Sequence, residues 1–310
     1  MKVFNSIDEI IGIGGTVIAL GNFDGVHKGH QELIARTVNE AGAAHLKSAV
    51  FTFSNHPRNI LSKGQKVKSI LYPDEKIEII GNLGVDYMFN IQFDEKMQRL
   101  NAVEFIDKLL LLKLKMREAY CGFNYKFGFK ASGNVEILMR ESIRKHFGIH
   151  VLEPVKVDGE TVSSTFIRKL IEEGEVESCE RLMGRHYAVG GEVVVGNKLG
   201  KSIGFPTSNL IVDESMVSPA NGVYFTYCTY KGKRYPSVTN VGVRPTIGNF
   251  HKNMETHIFD FDSELYGKKI RVEFLKKTRD EKKFESIDEL AAQIGRDCML
   301  AKDFHRKNSA

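Results

Sequence analysis

The first half of the chain alternates between two hydrophobic periods. Short apolar, β-prone runs at 16–20, 48–53, 86–92, 117–121 and 149–153 predict strands. Between them, apolar residues recur at three- and four-residue spacing over 28–42, 74–82, 101–113, 134–147 and 164–173, which predicts helices. In the first of these helices Leu33, Ile34, Thr37, Val38 and Ala41 share one face. Strand–helix alternation of this kind predicts a parallel sheet covered on both faces. Such sheets gather ligands at the carboxyl ends of their strands. Ser6-Ile7-Asp8-Glu9 has a capping-box pattern and predicts a short helix; Ser286-Ile287-Asp288-Glu289 repeats it near the other end.

Near Gly184 the texture changes. After a helix at 175–183 the pattern becomes strands without helices between them. Gly190 and Gly191 are expected to break the first, and 224–230, 235–241, 255–261 and 269–274 follow. Ile270-Arg271-Val272-Glu273-Phe274 alternates apolar and charged residues strictly, so one face points in and the other out. Strands this short and this evenly spaced predict a small antiparallel barrel. A last helix starts at the Ser286 cap, with Ile287, Leu290, Ala291, Ile294 and Cys298 as its core stripe. The expected domains are 1–184 and 185–310.

Composition narrows the class. A chain of 310 residues, 42% hydrophobic and 27% charged, has core material for two soluble globular domains. The net charge of +5 is spread along the chain, so no nucleic-acid partner is demanded, and small anionic substrates suit it. Cys121, Cys179, Cys228 and Cys298 are far apart and form no zinc pattern; they read as reduced thiols of a cytoplasmic protein. The first ten residues carry Lys2, Asp8 and Glu9 and are no signal peptide. The greasiest run, 109–112, stops at Lys113, so no membrane span is expected. No obligate protein partner is implied.

The chemistry concentrates in a few loops. Gly21-Asn22-Phe23-Asp24-Gly25-Val26-His27-Lys28-Gly29-His30 joins the first long strand to its helix. Its glycines permit close backbone approach, and His27 and His30, three apart at a helix mouth, can face one point. Free N–H groups at a helix start favour an anion, so the stretch suggests a phosphate site without a P-loop lysine. Alone, it would also suit a glycine-rich turn with two solvated histidines. Phe53-Ser54-Asn55-His56-Pro57 follows the second strand, with Pro57 fixing the backbone. Gly122-Phe123-Asn124-Tyr125-Lys126-Phe127-Gly128 brackets aromatics with glycines; the rings could stack on a flat ligand or form a buried turn. In Val162-Ser163-Ser164-Thr165-Phe166-Ile167-Arg168 the hydroxyls can cap a helix, and Arg168, one turn in, could clamp an anion with the first amides.

In the second half Gly196, Gly200 and Gly204 recur every fourth residue, with Lys198 and Lys201 among them, and Pro206-Thr207-Ser208-Asn209 follows. Glycines with lysines can wrap phosphates through backbone N–H groups. Thr207 and Asn209 alternate in an extended segment, so their oxygens could face one magnesium ion.

These stretches resemble a known family. The decapeptide looks like the G-x-F-D-G-V-H-x-G-H signature of flavin adenylyltransferases, within the nucleotidyltransferases that share H-x-G-H. Residues 53–57, 122–128 and 163–168 are similar to its F-x-P-H-P, G-x-N-x-x-F-G and S-S-T-x-I-R elements. Asn55 stands for the first proline, which predicts a looser loop, and Phe166 replaces a frequent arginine. Residues 196–209 resemble the riboflavin kinase loop ending in P-T-A-N, with Ser208 for the alanine. Leu199 and Lys201 stand where arginine is more usual, which predicts softer phosphate binding. Pro219-Ala220-Asn221-Gly222-Val223-Tyr224, Asn240-Val241-Gly242-Val243-Arg244-Pro245-Thr246 and Met254-Glu255-Thr256-His257 continue the match. The chain is thus similar, in order and over nearly its whole length, to the bacterial bifunctional riboflavin kinase/FMN adenylyltransferases, also called FAD synthetases.

That resemblance implies a Rossmann-like nucleotidyltransferase domain followed by a riboflavin kinase β-barrel with a C-terminal helix. It implies ATP as co-substrate, riboflavin, FMN and FAD as substrates and products, and Mg2+ on Thr207 and Asn209. ATP or phosphate would meet Gly21, Phe23, Asp24, Gly25, Ser163, Ser164, Thr165, Gly196, Lys198, Gly200 and Gly204. Flavin would meet Phe53, His56, Asn124, Tyr125, Phe127, Tyr224 and Arg244. Glu255 would be the base of the kinase half, with His27, His30 and Arg168 acting in the other. Two rivals stay open: a chain that keeps one activity, and a non-catalytic flavin-binding sensor.

Overall fold

Six strands form one parallel sheet in the computed structural model: β1 (Lys2–Phe4), β2 (Thr16–Leu20), β3 (Lys47–Phe53), β4 (Tyr87–Ile91), β5 (Met116–Gly122) and β6 (Gly148–Leu152). Their order is β1-β4-β3-β2-β5-β6. The structure describes residues 1–61, 64, 66–196, 199–246 and 249–308; at 61, 199, 244–246 and 249–251 it describes the backbone only. Two compact units divide the chain, Met1–Ser164 and Thr165–Ala310.

In the first unit α1 (Lys28–Ala43) and α3 (Pro73–Asn82) are the longer helices before β4; the single turn α2 (Pro57–Leu61) lies between them in sequence. After β4 come α4 (Glu95–Arg99) and α5 (Ala102–Glu104), the latter running into a π-helical stretch, Phe105–Lys113. Then α6 (Val135–Lys145) precedes β6, and a small hairpin, β7 (Lys156–Val157) with β8 (Glu160–Thr161), follows it. All five residues of β2 are buried. Ile18 and Leu20 join a core with Phe105, Leu109 and Leu138, while Val17 and Ala19 join one with Leu33, Ile34 and Ile80. A strand covered on both faces has no polar face to alternate with, hence its continuous apolar run. Connections leave β2 toward β3 on one side, and β5 lies on its other side, so the chain reverses direction at β2. Ligands of open α/β sheets sit at such a reversal, outside the carboxyl ends.

The expected helix at Ser6 is absent. Glu9 does accept from the Asn5 N–H, and the Ser6 hydroxyl accepts from the Asp8 N–H, but the segment closes as a turn. Gly12, Gly14 and Gly15 follow at once, and a helix cannot propagate cheaply through them.

The second unit opens within α7 (Ser164–Glu173), followed by α8 (Val176–Met183). Six antiparallel strands then close a barrel: β9 (Tyr187–Val194), β10 (Ser208–Ile211), β11 (Gly222–Tyr230), β12 (Lys233–Thr246), β13 (Asn249–Ile258) and β14 (Lys269–Arg279), in the order β10-β13-β12-β11-β14-β9. A short turn, α9 (Leu199–Ser202), lies between β9 and β10 in sequence, and α10 (Ile287–Lys307) packs on β11 and β12. The expected break at Gly190 and Gly191 does not occur, because both pair with β14, opposite Arg271 and Ile270. The expected domain division falls after residue 184, whereas the compact units divide after Ser164; α8 packs on β9 and β14 and so clusters with the barrel.

Ser286 caps α10, its hydroxyl accepting from the Glu289 N–H. Ser286→Ala should therefore cost about 1 kcal/mol in urea unfolding. Ser6→Ala should cost less than about 0.5 kcal/mol, because it starts no helix.

Candidate active sites

The Gly21–His30 turn leaves the buried end of β2. Phe23 and Val26 are fully buried and have positive φ of 50° and 35°, flanking Gly25 at 81°. For a β-branched residue this is strained backbone, held because both side chains are sealed in the core. A side chain at Gly25 would press on Ile70, 3.0 Å away. The turn delivers His27 to the N-cap of α1, where its Nδ1 accepts from the His30 N–H at 3.3 Å. The two imidazoles stack at 3.7 Å with planes 12° apart, and His27 is 6% exposed. The sequence placed both histidines on one point; the structure adds that one of them caps the helix.

Of the other predicted residues, Asp24 and Ser164 tie this turn in place. The Asp24 carboxylate accepts from the Ile70 N–H, and its carbonyl accepts from the Ser164 hydroxyl at 2.7 Å. Ser164 is the first residue of α7, and Arg168 lies one turn further along it. Ser163 is half-buried and Thr165 exposed. Thr52 at the end of β3 donates to the Asn22 carbonyl. Phe53 and His56 are half-buried after β3, and His56 Nδ1 accepts from the Arg58 N–H. Asn55 does not loosen this loop. Its amide bonds both the N–H and the carbonyl of Phe93, a clamp proline could not make. Asn124 is exposed after β5. Tyr125 and Phe127 stack at 5.6 Å, and Phe127 is core, with no room for a side chain at Gly133, 2.6 Å from its ring. Phe127 therefore supports the loop from beneath, while Phe123 is an exposed ring of the same loop.

Sequence reasoning missed Lys76. In the sequence it is an ordinary polar position of an amphipathic helix, and nothing marks it. The fold turns its ammonium onto the Phe53 carbonyl, 2.9 Å away at the ligand edge of the sheet, within electrostatic reach of Asp24. Burial lowers this lysine to about 8, partly opposed by Asp24.

The second site is on the barrel. Register sets Asn209 of β10 opposite Glu255 of β13, and Glu255 opposite Asn240 of β12. Directly opposed residues share a face, so the three form one row. Glu255 and Asn240 of this row line a cavity of about 220 Å³, with Thr207 and His257 also on its polar side and Phe205, Leu290 and Ile294 on its apolar side. His257 meets the Pro206 carbonyl at 2.7 Å; a carbonyl only accepts, so Nδ1 carries the hydrogen. Burial lowers its affinity for a second proton. Arg279 grips Asp297 of α10 through Nε and Nη2, and Gln293 adds a third donor, which fixes the cavity wall. At Gly196 any side chain would overlap the Asn209 amide, and at Gly200 it would overlap the Phe205 carbonyl. Gly204 has φ of 86°.

Tyr224 is a correction. It is fully buried, edge-on to Phe274, with its hydroxyl donating to the Ala220 carbonyl, and it does not line the cavity. It alternates with Val223, which does line it, so the strand period sends the tyrosine inward. Lys198 lies outside the described residues, as does the side chain of Arg244. The sequence also missed Asn240, which strand register brings to Glu255, and Asn253 and His257, which flank it on the same face of β13. All four cysteines are free and buried; burial pushes Cys121, Cys179 and Cys228 up to about 12 and Cys298 to about 11. Among the described residues no helix is long and apolar enough to cross a membrane.

The lysine supplies a pH test. Unfolded Lys76 titrates near 10.5, folded Lys76 near 8. Below about pH 8 both states are protonated and the burial cost is fully present; above it the folded state sheds the proton first, and the cost fades as pH rises. Lys76→Met should therefore raise the Tm at neutral pH, with a gain that shrinks toward about pH 10. Paired melts over that range check it, and a gain constant with pH would contradict it.

Comparisons with known proteins agree with the geometry. The family model of FAD synthetase matches residues 13–166, and that of riboflavin kinase matches residues 183–305. The bifunctional riboflavin kinase/FMN adenylyltransferase of Escherichia coli (strain K12) is 34% identical over 291 residues, 94% of this chain and 93% of that protein. Its counterpart from Bacillus subtilis (strain 168) is 34% identical over 286 residues, 91% and 90% of the two chains. A crystal structure of a Streptococcus pneumoniae protein, described as a macrolide-efflux protein, matches with TM-score 0.87 and 29% identity over 97% of this chain and 98% of that one. The efflux description is that protein's own. Two family models in order, and relatives at this identity over nearly full length, place the chain in the family of bifunctional riboflavin kinase/FMN adenylyltransferases.

Proposed function

We propose that the chain phosphorylates riboflavin to FMN at the barrel and transfers AMP from ATP to FMN at the parallel sheet, giving FAD and pyrophosphate. The observation that carries this reading is the row Asn209–Glu255–Asn240 beside a half-apolar cavity, in the same chain as the stacked His27–His30 pair.

At the barrel, the flat apolar part of riboflavin is held by Phe205, Leu290 and Ile294, with its ribityl chain toward Glu255. The 5′-hydroxyl is a weak nucleophile, so Glu255 takes its proton as the new O–P bond to the γ-phosphorus forms. The bond from that phosphorus to the bridging oxygen breaks, and ADP leaves. Thr207 and Asn209 would hold magnesium. Their donor set fits: neutral oxygens, with no cluster of three His, Cys, Asp or Glu among the described residues, suit an ion that arrives with nucleotide phosphates. Magnesium there would neutralise phosphate charge. Loop amides around Gly200 and Gly204 orient the triphosphate.

At the sheet, the FMN phosphate is already an anion and needs no base. One of its oxygens bonds to the α-phosphorus of ATP, the bond to the β-phosphate bridge breaks, and pyrophosphate leaves. His27, His30, Arg168 and Lys76 stabilise the charge that grows on the phosphate oxygens. Phe53, His56, Asn124 and Tyr125 are the flavin-side residues. The protein works in the cytoplasm, where riboflavin and ATP meet.

His30→Ala should lower FAD formation about 100-fold or more while FMN formation from riboflavin persists. Glu255→Ala should do the reverse, with supplied FMN still adenylylated. A chromatogram of products from riboflavin, ATP and magnesium checks both. FMN without FAD from the unmodified protein would leave a kinase alone, and binding without turnover would leave a sensor.

A further inference from the structure

β13 carries one more amide at the barrel site. Asn253 is 6% exposed and stands two residues before Glu255, so both side chains leave the same face of the strand. Its register partners are Ile211 of β10 and Gly242 of β12, neither of which offers it a polar side chain. Its Nδ2 donates to Glu255 Oε1 at 3.1 Å and to Asn209 Oδ1 at 3.3 Å, which uses both N–H groups. Its Oδ1 is buried and has no hydrogen-bond partner among the described residues. A buried carbonyl oxygen is costly to leave unpaired, and such orphans collect at functional sites.

We propose that Asn253 is a positioning residue of the riboflavin-phosphorylating site: it fixes the Glu255 carboxylate against the Asn209 amide oxygen, and its own Oδ1 receives an O–H donor that enters with the substrates. The proposal rests on Glu255 being the base. A glutamate on a strand has three rotatable side-chain bonds, and a base must stand within hydrogen-bond reach of the hydroxyl it deprotonates. One N–H on Oε1 restrains that freedom. Asn209 Oδ1 has two lone pairs, so the bond from Asn253 leaves the other for a cation. The O–H donor is either a ribityl hydroxyl or a water carried in with the magnesium–nucleotide complex.

The test compares wild type, Asn253→Leu and the isosteric Asn253→Asp. kcat and KM for riboflavin phosphorylation are measured, with adenylylation of supplied FMN as the control for folding. Asn253→Leu should lower kcat for FMN formation roughly 10- to 100-fold, and the loss should fall more on kcat than on KM. Asn253→Asp keeps the shape and removes the N–H donors, so it should lose about as much. Adenylylation should stay within about twofold. Riboflavin binding without magnesium, read by flavin fluorescence, assigns the donor: weaker binding by Asn253→Leu points to the ribityl chain, and unchanged riboflavin binding with weaker magnesium–ADP binding points to the water. Wild-type kcat in both variants overturns the proposal. So does a loss that falls on KM alone. Glu255→Gln separates the two levels: if it still makes FMN, the base assignment falls and this inference with it; if it is inactive while Asn253→Leu behaves as wild type, only the role of Asn253 falls.

Discussion

A sheet covered on both faces can offer chemistry only at its strand ends. In the first unit this constraint does most of the organising. β2 buries Val17 and Ala19 on one side and Ile18 and Leu20 on the other, so nothing along its length is free to bind. What β2 can do is stop, and where it stops the chain must turn sharply into α1. The turn is strained at Phe23 and Val26 and is held by burying those same side chains. Local strain and global packing are thus one arrangement. It is why the imidazoles of His27 and His30 lie stacked at the head of a helix, where backbone N–H groups also point.

The barrel solves the same problem by other means. Its interior is filled, in part by hydroxyls that satisfy one another: Thr226 with Ser237 and Thr239, and Thr239 with Thr256. Side chains that alternate with these face outward. Thr256 points in, so Glu255 and His257 point out, toward α10. Packing of α10 and the Arg279–Asp297 pair give that outer face a wall. The site is the outside of a closed sheet made concave by a helix, which explains why its polar groups come from five different stretches of sequence.

The fold was legible to the extent that it is periodic. Apolar, β-prone runs gave β2 to β6 to within a residue or two, and in β2 burial on both faces leaves no other pattern. The helix 164–173 was legible for its stripe of Ile167, Leu170 and Ile171. Failures came where a local signal met a neighbour the sequence does not display. The Ser6 cap was real as hydrogen bonding and false as a helix start. Gly190 and Gly191 are flanked by a partner strand that keeps them paired. Asn55 reads as a lost proline, yet its amide finds Phe93 thirty-eight residues away. For the sites, the motif loops were legible because glycines and histidines advertise themselves. Lys76, Asn240 and Asn253 were not, since an ordinary lysine or asparagine acquires meaning only from what register or helix packing sets beside it. Tyr224 was misread because a motif does not state which way its strand faces.

The row across β10, β13 and β12 has a consequence for how this half of the chain can change. Side-chain identity and side-chain direction are separate variables in a strand, and only the second depends on counting. Replacing a residue near Glu255 alters one contact. Adding or deleting a single residue inside β13 would rotate Glu255 into the hydroxyl-lined interior and bring its neighbour out, whatever that neighbour is. Length, more than composition, is therefore the quantity this lineage of barrels has to keep, and variation in it belongs in the connections between strands, where an extra residue leaves the count untouched.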